Sequence, residues 1–180
     1  MFLNIITPCS RPFNLKAISD SINIPRDSYR WLVIFDLEAI PSDLEIPKNA
    51  EVYCHVNINS TAGHAQRNFA LNLIEKGHVY MNDDDTVIHQ DLWDNIKDLE
   101  EDFISFIQNS KDNFIRLYGD TIEVNHIDSH NFIVSNRIIG DSRWIVHKYG
   151  ADGFFAKECY EKAASKIHIP KVLSIYNKLR

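Results

Sequence analysis

Three consecutive aspartates, Asp83-Asp84-Asp85, make the strongest chemical demand in this sequence. Like charges at short range raise one another's pKa, and burial adds to the cost. A divalent cation relieves both, because carboxylate oxygens are its preferred ligands. A solvated acidic turn is the plain alternative. The triplet, however, follows the apolar run Val79-Tyr80-Met81 instead of joining two polar loops. The chain has neither G-x-x-x-x-G-K-[ST] nor G-x-G-x-x-G, so no glycine-rich loop cradles phosphates. A nucleotide diphosphate would have to be met by a metal on Asp83–Asp85, with Arg11 or Arg67 in support.

These groups need elements to hold them. Leu3–Thr7 reads as a buried strand, followed by a helix over 13–22 with Leu15, Ile18 and Ile22 on one stripe. Trp31–Asp36 and Glu51–Val56 read as further strands. A helix over 62–76 stops at Gly77, and a short strand over 79–81 follows. Leu92, Ile96, Leu99, Phe103, Phe106 and Ile107 predict one long amphipathic helix over about 89–108. Strands are predicted at 113–118, 121–127 and 131–134. Helices are predicted near 154–166 and 170–178, with Pro170 in the first turn of the last. This alternation predicts an α/β domain with a mostly parallel central sheet flanked by helices, which binds ligands outside the carboxyl ends of its strands. Thr7–Arg11, Asp36 and Asp83–Asp85 fall at such ends, and one cleft is expected where they meet.

The segment Gln66-Arg67-Asn68-x-Ala70-Leu71, followed after about ten residues by Val79–Thr86, resembles the donor-binding core of GT-A (Rossmann-like) glycosyltransferases. The pattern of a QRN-x-AL helix before a strand ending in DDD is most similar to the β-1,3-glucuronyltransferase group. The opening Ile6-Thr7-Pro8-x-Ser10-Arg11-Pro12 resembles the first-strand turn of the same enzymes. The small size also resembles compact GT-A domains of large DNA viruses of algae. The matching segments span about residues 4–93. The resemblance implies a nucleoside-diphosphate sugar donor, most often UDP-linked, and Mn²⁺ or Mg²⁺. It also implies a glycan or glycoprotein acceptor. By position, Asp85 would be the main metal ligand, and Asp83 would assist it or contact the ribose. Asp84 completes the acidic motif at the donor site. Thr7, Pro8, Arg11 and Asp36 would surround the nucleoside, and Arg67 would face the donor from its helix.

Transfer to an alcohol with inversion needs a general base near the acceptor. Asp152, within Trp144-x-x-x-x-Tyr149-Gly150-Ala151-Asp152-Gly153-Phe154-Phe155, is the first candidate, since aromatic neighbours could exclude water and carry a sugar ring. The same residue could be a helix N-cap. Were configuration retained, Asp152 would orient the acceptor instead. Asp128 is the second candidate. In His126-Ile127-Asp128-Ser129-His130 the alternation would put both histidines and Asp128 on one face of a strand. His168 is a further candidate for the diphosphate.

Two other functions remain open at this level. A metal-dependent phosphoester hydrolase would join His126, Asp128 and His130 to the triplet, although no H-x-H-x-D or HExxH pattern is present. A non-catalytic nucleotide-sugar binder would share the fold. With 180 residues, a single domain is expected over 1–180, its nucleotide-binding half near 1–93 and its acceptor half near 94–180. This is short for the resembling enzymes, which leaves room for a longer multi-domain chain. A net charge of −6, from 19 Lys+Arg against 25 Asp+Glu, argues against nucleic acid as a partner. The longest apolar run, Trp31–Phe35, falls far below the roughly 20 residues of a membrane span. Three scattered cysteines without C-x-x-C predict neither a disulfide framework nor a zinc site. They fit a cytoplasmic location, bacterial or in a virus-infected host cell.

Overall fold

The computed structural model describes residues 1–56 and 61–180. Its first half is a parallel quartet. Strand β1 (Leu3–Cys9) has every residue buried and leads through a 3₁₀ turn, Pro12–Asn14, into α1 (Leu15–Ser21). Strands β2 (Tyr29–Phe35) and β3 (Ala50–Cys54) follow, then α2 (His64–Leu71) and β4 (His78–Met81). The order is β3-β2-β1-β4, with all neighbours parallel. The unbroken apolar run of β2 reflects burial on both faces. Trp31, Val33 and Phe35 pack with α1, while Leu32 and Ile34 pack with Ala70 and Leu71 of α2.

The second half reverses direction. After α3 (Leu92–Ile96) come β5 (Phe103–Ser110), β6 (Ile115–Leu117), β7 (Phe132–Ser135), α4 (Asn136–Ile139), α5 (Ala151–Lys162) and β8 (Lys166–Tyr176). Strand β7 is antiparallel to both β4 and β5, which joins the halves into one eight-stranded sheet. Strand β6 pairs antiparallel with the far end of β5, and β8 lies parallel to β5. The sheet is therefore mostly parallel and flanked by helices, as expected. Among the described residues, no helix is long and apolar enough to cross a membrane.

Three expectations are corrected. The helix over 89–108 is a short α3 and then a strand. Phe103 and Ile104 enter opposite cores, which requires the two-residue period of a sheet. Asp102, just before that strand, accepts hydrogen bonds from the amides of Ala164 (2.9 Å) and Ser165 (3.3 Å), a tertiary role that breaks the helical run. The segment 121–127 is turns rather than a strand, with Asn125 at φ +70°. The helix near 170–178 is part of β8. Pro170 and Lys171 sit where the β5 register steps from Ile169 to Val172, a bulge in which a missing N–H costs no ladder bond.

Candidate active site

The parallel register aligns Cys9 with Phe35 and Ile6 with Met81, so β1, β2 and β4 end side by side. Beyond those ends lie two adjoining cavities. The smaller, about 220 Å³, is lined by Pro8, Ser10, Arg11, Asp36 and Gln66. The larger, about 510 Å³, is lined by His64, Arg67, Arg116, Asp128, His130, Tyr149 and Asp152. Asp83, Asp85, Ala62 and Arg180 line both. Helix α2 approaches closely enough to share this wall because its cap is Gly63, at φ +74°, where a Cβ would meet Pro8 Cβ at 2.6 Å. Most of the site residues read from the sequence thus meet in one cleft.

The three aspartates differ in their contacts. Asp84 Oδ2 accepts from the amides of Ser10 (2.6 Å) and Arg11 (2.7 Å) and from the Ser10 hydroxyl (3.0 Å). Its other oxygen takes the Arg11 guanidinium, and its carbonyl accepts from Asn14 Nδ2 at 2.7 Å. The carboxylate of Asp84 therefore ties down the turn after β1. Asp83 is ion-paired with Arg67 and lies 3.1 Å from His130 Nε2. Asp85 Oδ2 receives Arg11 at 3.1 Å and Arg180 Nε at 2.7 Å. Its Oδ1 has the Thr86 hydroxyl at 3.4 Å.

From Asp83 an alternating chain of charges crosses the larger cavity's floor. His130 is buried between Asp83 and Asp128, with Nδ1 3.0 Å from Asp128. Arg116 closes the chain, donating to Asp128 at 2.8 Å while lying 3.9 Å over the Tyr176 ring. Burial works against the charge on His130, but the two carboxylates outweigh it and hold its pKa well above the usual histidine value. His130 Nε2 stands 3.1 Å from both the Asp83 carboxylate and the Asp83 amide. Burial likewise raises the pKa of Asp83 and Asp128. The charges of Arg67 and His130 on the first, and of His130 and Arg116 on the second, prevail and keep both well below the carboxylate range. Asp128 also accepts from the His130 amide (3.2 Å), capping the 3₁₀ turn Ser129–Asn131.

Asp152 is differently placed. It is a first-turn residue of α5, whose N-cap is Gly150, so it is not the cap itself. Gly153 brings this turn against the 124 backbone, where a Cβ would meet Val124 Cα at 2.7 Å. Asp152 Oδ1 accepts from the Gly153 amide at 2.9 Å, and among the described residues no ion pair forms with it. Burial, then the charge of Asp128, raise its pKa above the ordinary carboxylate value. Tyr149 stands beside it, 88 % exposed at the cavity mouth.

Other residues lie elsewhere. Thr7 is fully buried outside both cavities, its Oγ1 accepting from Trp31 Nε1 at 3.0 Å. His126 is exposed and lines neither cavity, so the face proposed for His126, Asp128 and His130 does not form. His168 Nδ1 is 3.2 Å from the Ser105 hydroxyl, away from the cleft. Sequence reasoning missed Arg116, Arg180 and His64. Burial, then the Arg67 charge, push the His64 pKa down to about 4, giving the cavity a neutral imidazole wall. No local pattern marks these three as site residues, and the fold brings them to the larger cavity.

A divalent cation has suitable ligands here in kind. Asp83 and Asp85 offer hard carboxylate oxygens at the junction of the cavities, and Asp85 Oδ1 is bonded by one hydroxyl alone among the described residues. Among the described residues, no preassembled group of three or more His, Cys, Asp or Glu side chains is present. Such an ion would draw its remaining ligands from elsewhere, as Mg²⁺ does from substrate phosphates and water.

No protein-family model and no curated protein sequence matches the chain. Solved structures do. S. aureus TarS 1–349 superposes with a TM-score of 0.73 at 14 % identity, covering 97 % of this chain and 60 % of that one. TarS 1–349 in complex with UDP-GlcNAc gives 0.74 at 16 % identity, covering 97 % and 58 %. The mannosyltransferase PcManGT from Pyrobaculum calidifontis, in complex with GDP-Man and Mn²⁺, gives 0.69 at 14 % identity, covering 97 % and 56 %. The chain spans little more than half the length of these solved chains. Its fold is that of the GT-A nucleotide-sugar glycosyltransferases.

Proposed function

We propose that this domain transfers a sugar from a nucleoside-diphosphate sugar, in the first instance a UDP-sugar, to a hydroxyl of a glycan or glycoprotein acceptor. The observation that carries the reading is the meeting of two unlike cavities at Asp83 and Asp85. One holds the turn residues expected around a nucleoside, and the other holds a carboxylate suited to take a proton. The solved structures of fold neighbours with UDP-GlcNAc and with GDP-Man support a nucleotide-sugar donor of either base.

In this reading Pro8, Arg11 and Asp36 receive the nucleoside, and Arg67 faces the diphosphate at the junction. Asp85, with Asp83, would hold Mn²⁺ or Mg²⁺, which supplies Lewis-acid stabilisation of the departing diphosphate. Asp152 takes the acceptor's proton as the acceptor oxygen bonds to the anomeric carbon and the bond to the diphosphate breaks, with inversion. A raised pKa favours Asp152 for this task. Asp128 is a poor base, because His130 and Arg116 hold its charge, and it orients the acceptor side instead.

Calorimetric titration of UDP with and without Mn²⁺, alongside Asp85→Ala, tests the donor site. Binding that requires the metal and is lost in Asp85→Ala is expected. Binding of neither UDP nor GDP would overturn the reading. Binding without turnover of any UDP-sugar or GDP-sugar would favour a non-catalytic binder.

A further inference from the structure

Among the described residues, Arg180 is the one cation that lines both cavities, and it arrives there from the end of the last strand. After Tyr176 the chain turns through Asn177, at φ +52°, and the Leu179 amide donates to the Asp85 carbonyl at 2.8 Å. That backbone bond fixes the segment on the triplet and delivers Arg180 Nε to Asp85 Oδ2 at 2.7 Å. The same oxygen already takes Arg11 at 3.1 Å. Two guanidinium groups thus share one carboxylate oxygen, and the Arg180 side chain is 50 % exposed while that of Arg11 is 32 % exposed. Arg180 is the more easily released of the two.

We infer that Arg180 is a donor-binding residue that stands on Asp85 in the free protein and passes to the donor's diphosphate when a divalent cation takes its place. The inference rests on the proposed donor site. Like-charge repulsion drives the exchange, since a cation on Asp85 makes the guanidinium a poor neighbour. The diphosphate at the junction offers the nearest new anionic partner, and guanidinium pairs with phosphate through two parallel hydrogen bonds. One residue thereby opposes metal binding in the empty protein and supports nucleotide binding in the loaded one.

The test uses calorimetry on the wild type, Arg180→Ala and Arg180→Lys, with Mn²⁺ alone and then with UDP or GDP at saturating Mn²⁺. In Arg180→Ala, Mn²⁺ alone should bind about two- to five-fold more tightly, the size of a half-exposed ion pair. Nucleotide at saturating Mn²⁺ should bind about ten-fold more weakly, the size of a charge-assisted phosphate contact. Arg180→Lys keeps the charge without the fork, so its Mn²⁺ affinity should stay near wild type and its nucleotide affinity fall between the other two. Loss of both affinities together in Arg180→Ala would make Arg180 a structural prop, and no change in either would make it an idle surface group. Both results overturn the inference while leaving the donor site standing. Failure of the wild type to bind either nucleotide would remove the donor site, and the inference with it.

Discussion

The two sides of the cleft treat their carboxylates in opposite ways. At the junction of the cavities and across the floor, Asp83, Asp84, Asp85 and Asp128 are each matched with an arginine, and two of them with His130 as well. On the far wall of the larger cavity, Asp152 has the Gly153 amide and no ion pair among the described residues. A matched carboxylate stays charged and fixed, which suits binding and orientation. An unmatched, partly buried one accepts a proton more readily, which suits proton transfer. Neighbouring groups, rather than residue type, separate the two roles.

The sharpest way to break this contrast is Asp152→Asn. If Asp152 is the base, sugar transfer should fall by about 10²–10⁴-fold while metal-dependent UDP binding stays unchanged. Retained turnover would move the base elsewhere. The wild-type rate should also climb with pH through a value above the ordinary carboxylate pKa, because only the ionised Asp152 accepts a proton.

His130→Leu attacks the matched side. It leaves Asp83 and Asp128 facing each other without their shared cation, and should cost about 3–5 kcal/mol in denaturant unfolding. The pH dependence carries the same signature. His130 has a raised pKa, so its contribution is complete below the ordinary value of 6.5 and fades as pH rises through the folded value. The lowered values of Asp83 and Asp128 give a contribution present above 3.8 and lost as pH falls through their folded values. The stability difference between wild type and His130→Leu should therefore be greatest between those limits, and a difference that grew above pH 8 would contradict the assignment.

Asp84→Asn sharpens the comparison within the triplet. Its amide cannot accept all the donors of the turn after β1, so a loss of about 1–3 kcal/mol is expected, with weaker nucleotide binding as a secondary effect. Lys16→Ala, which removes the exposed pair with Asp20 on α1, should change stability by about 0.5 kcal/mol or less. A larger effect there would show that exposed pairs matter more in this protein than their setting suggests.

The first half of the chain was largely legible in the sequence, and the reason is local. Strands β1, β2 and β4 are short, largely apolar runs that end at polar groups, and α2 is marked by its own Gln66-Arg67-Asn68 segment, whose Gln66 and Arg67 are buried alongside Ala70 and Leu71. Their parallel alignment brings the flagged residues together without further information. The second half was less legible because its elements depend on distant partners. Phe103–Ile107 fits a helical stripe as well as a strand, and pairing with β7 and β8 decides between them. Thr7 shows the limit inside the first half. Its neighbours Pro8 and Arg11 reach the cavity, but its own side chain points into the core and holds an indole that no motif announces. Arg180 shows the converse: it is 95 positions from Asp85 in sequence and touches it in space.

The bulge at Pro170 also bears on how the protein behaves in company. Strand β8 is the longest in the sheet, and its described pairing is with β5 alone. A straight edge of that length would offer another molecule a template for strand addition. Pro170 withholds one N–H, and the register steps from Ile169 to Val172 and again from Val172 to Ser174, which breaks the edge into shorter runs. Lys171, beside it, adds a positive charge to the break. The interruption discourages edge-to-edge aggregation at high concentration, and Pro170→Val should lower the concentration at which the protein begins to self-associate.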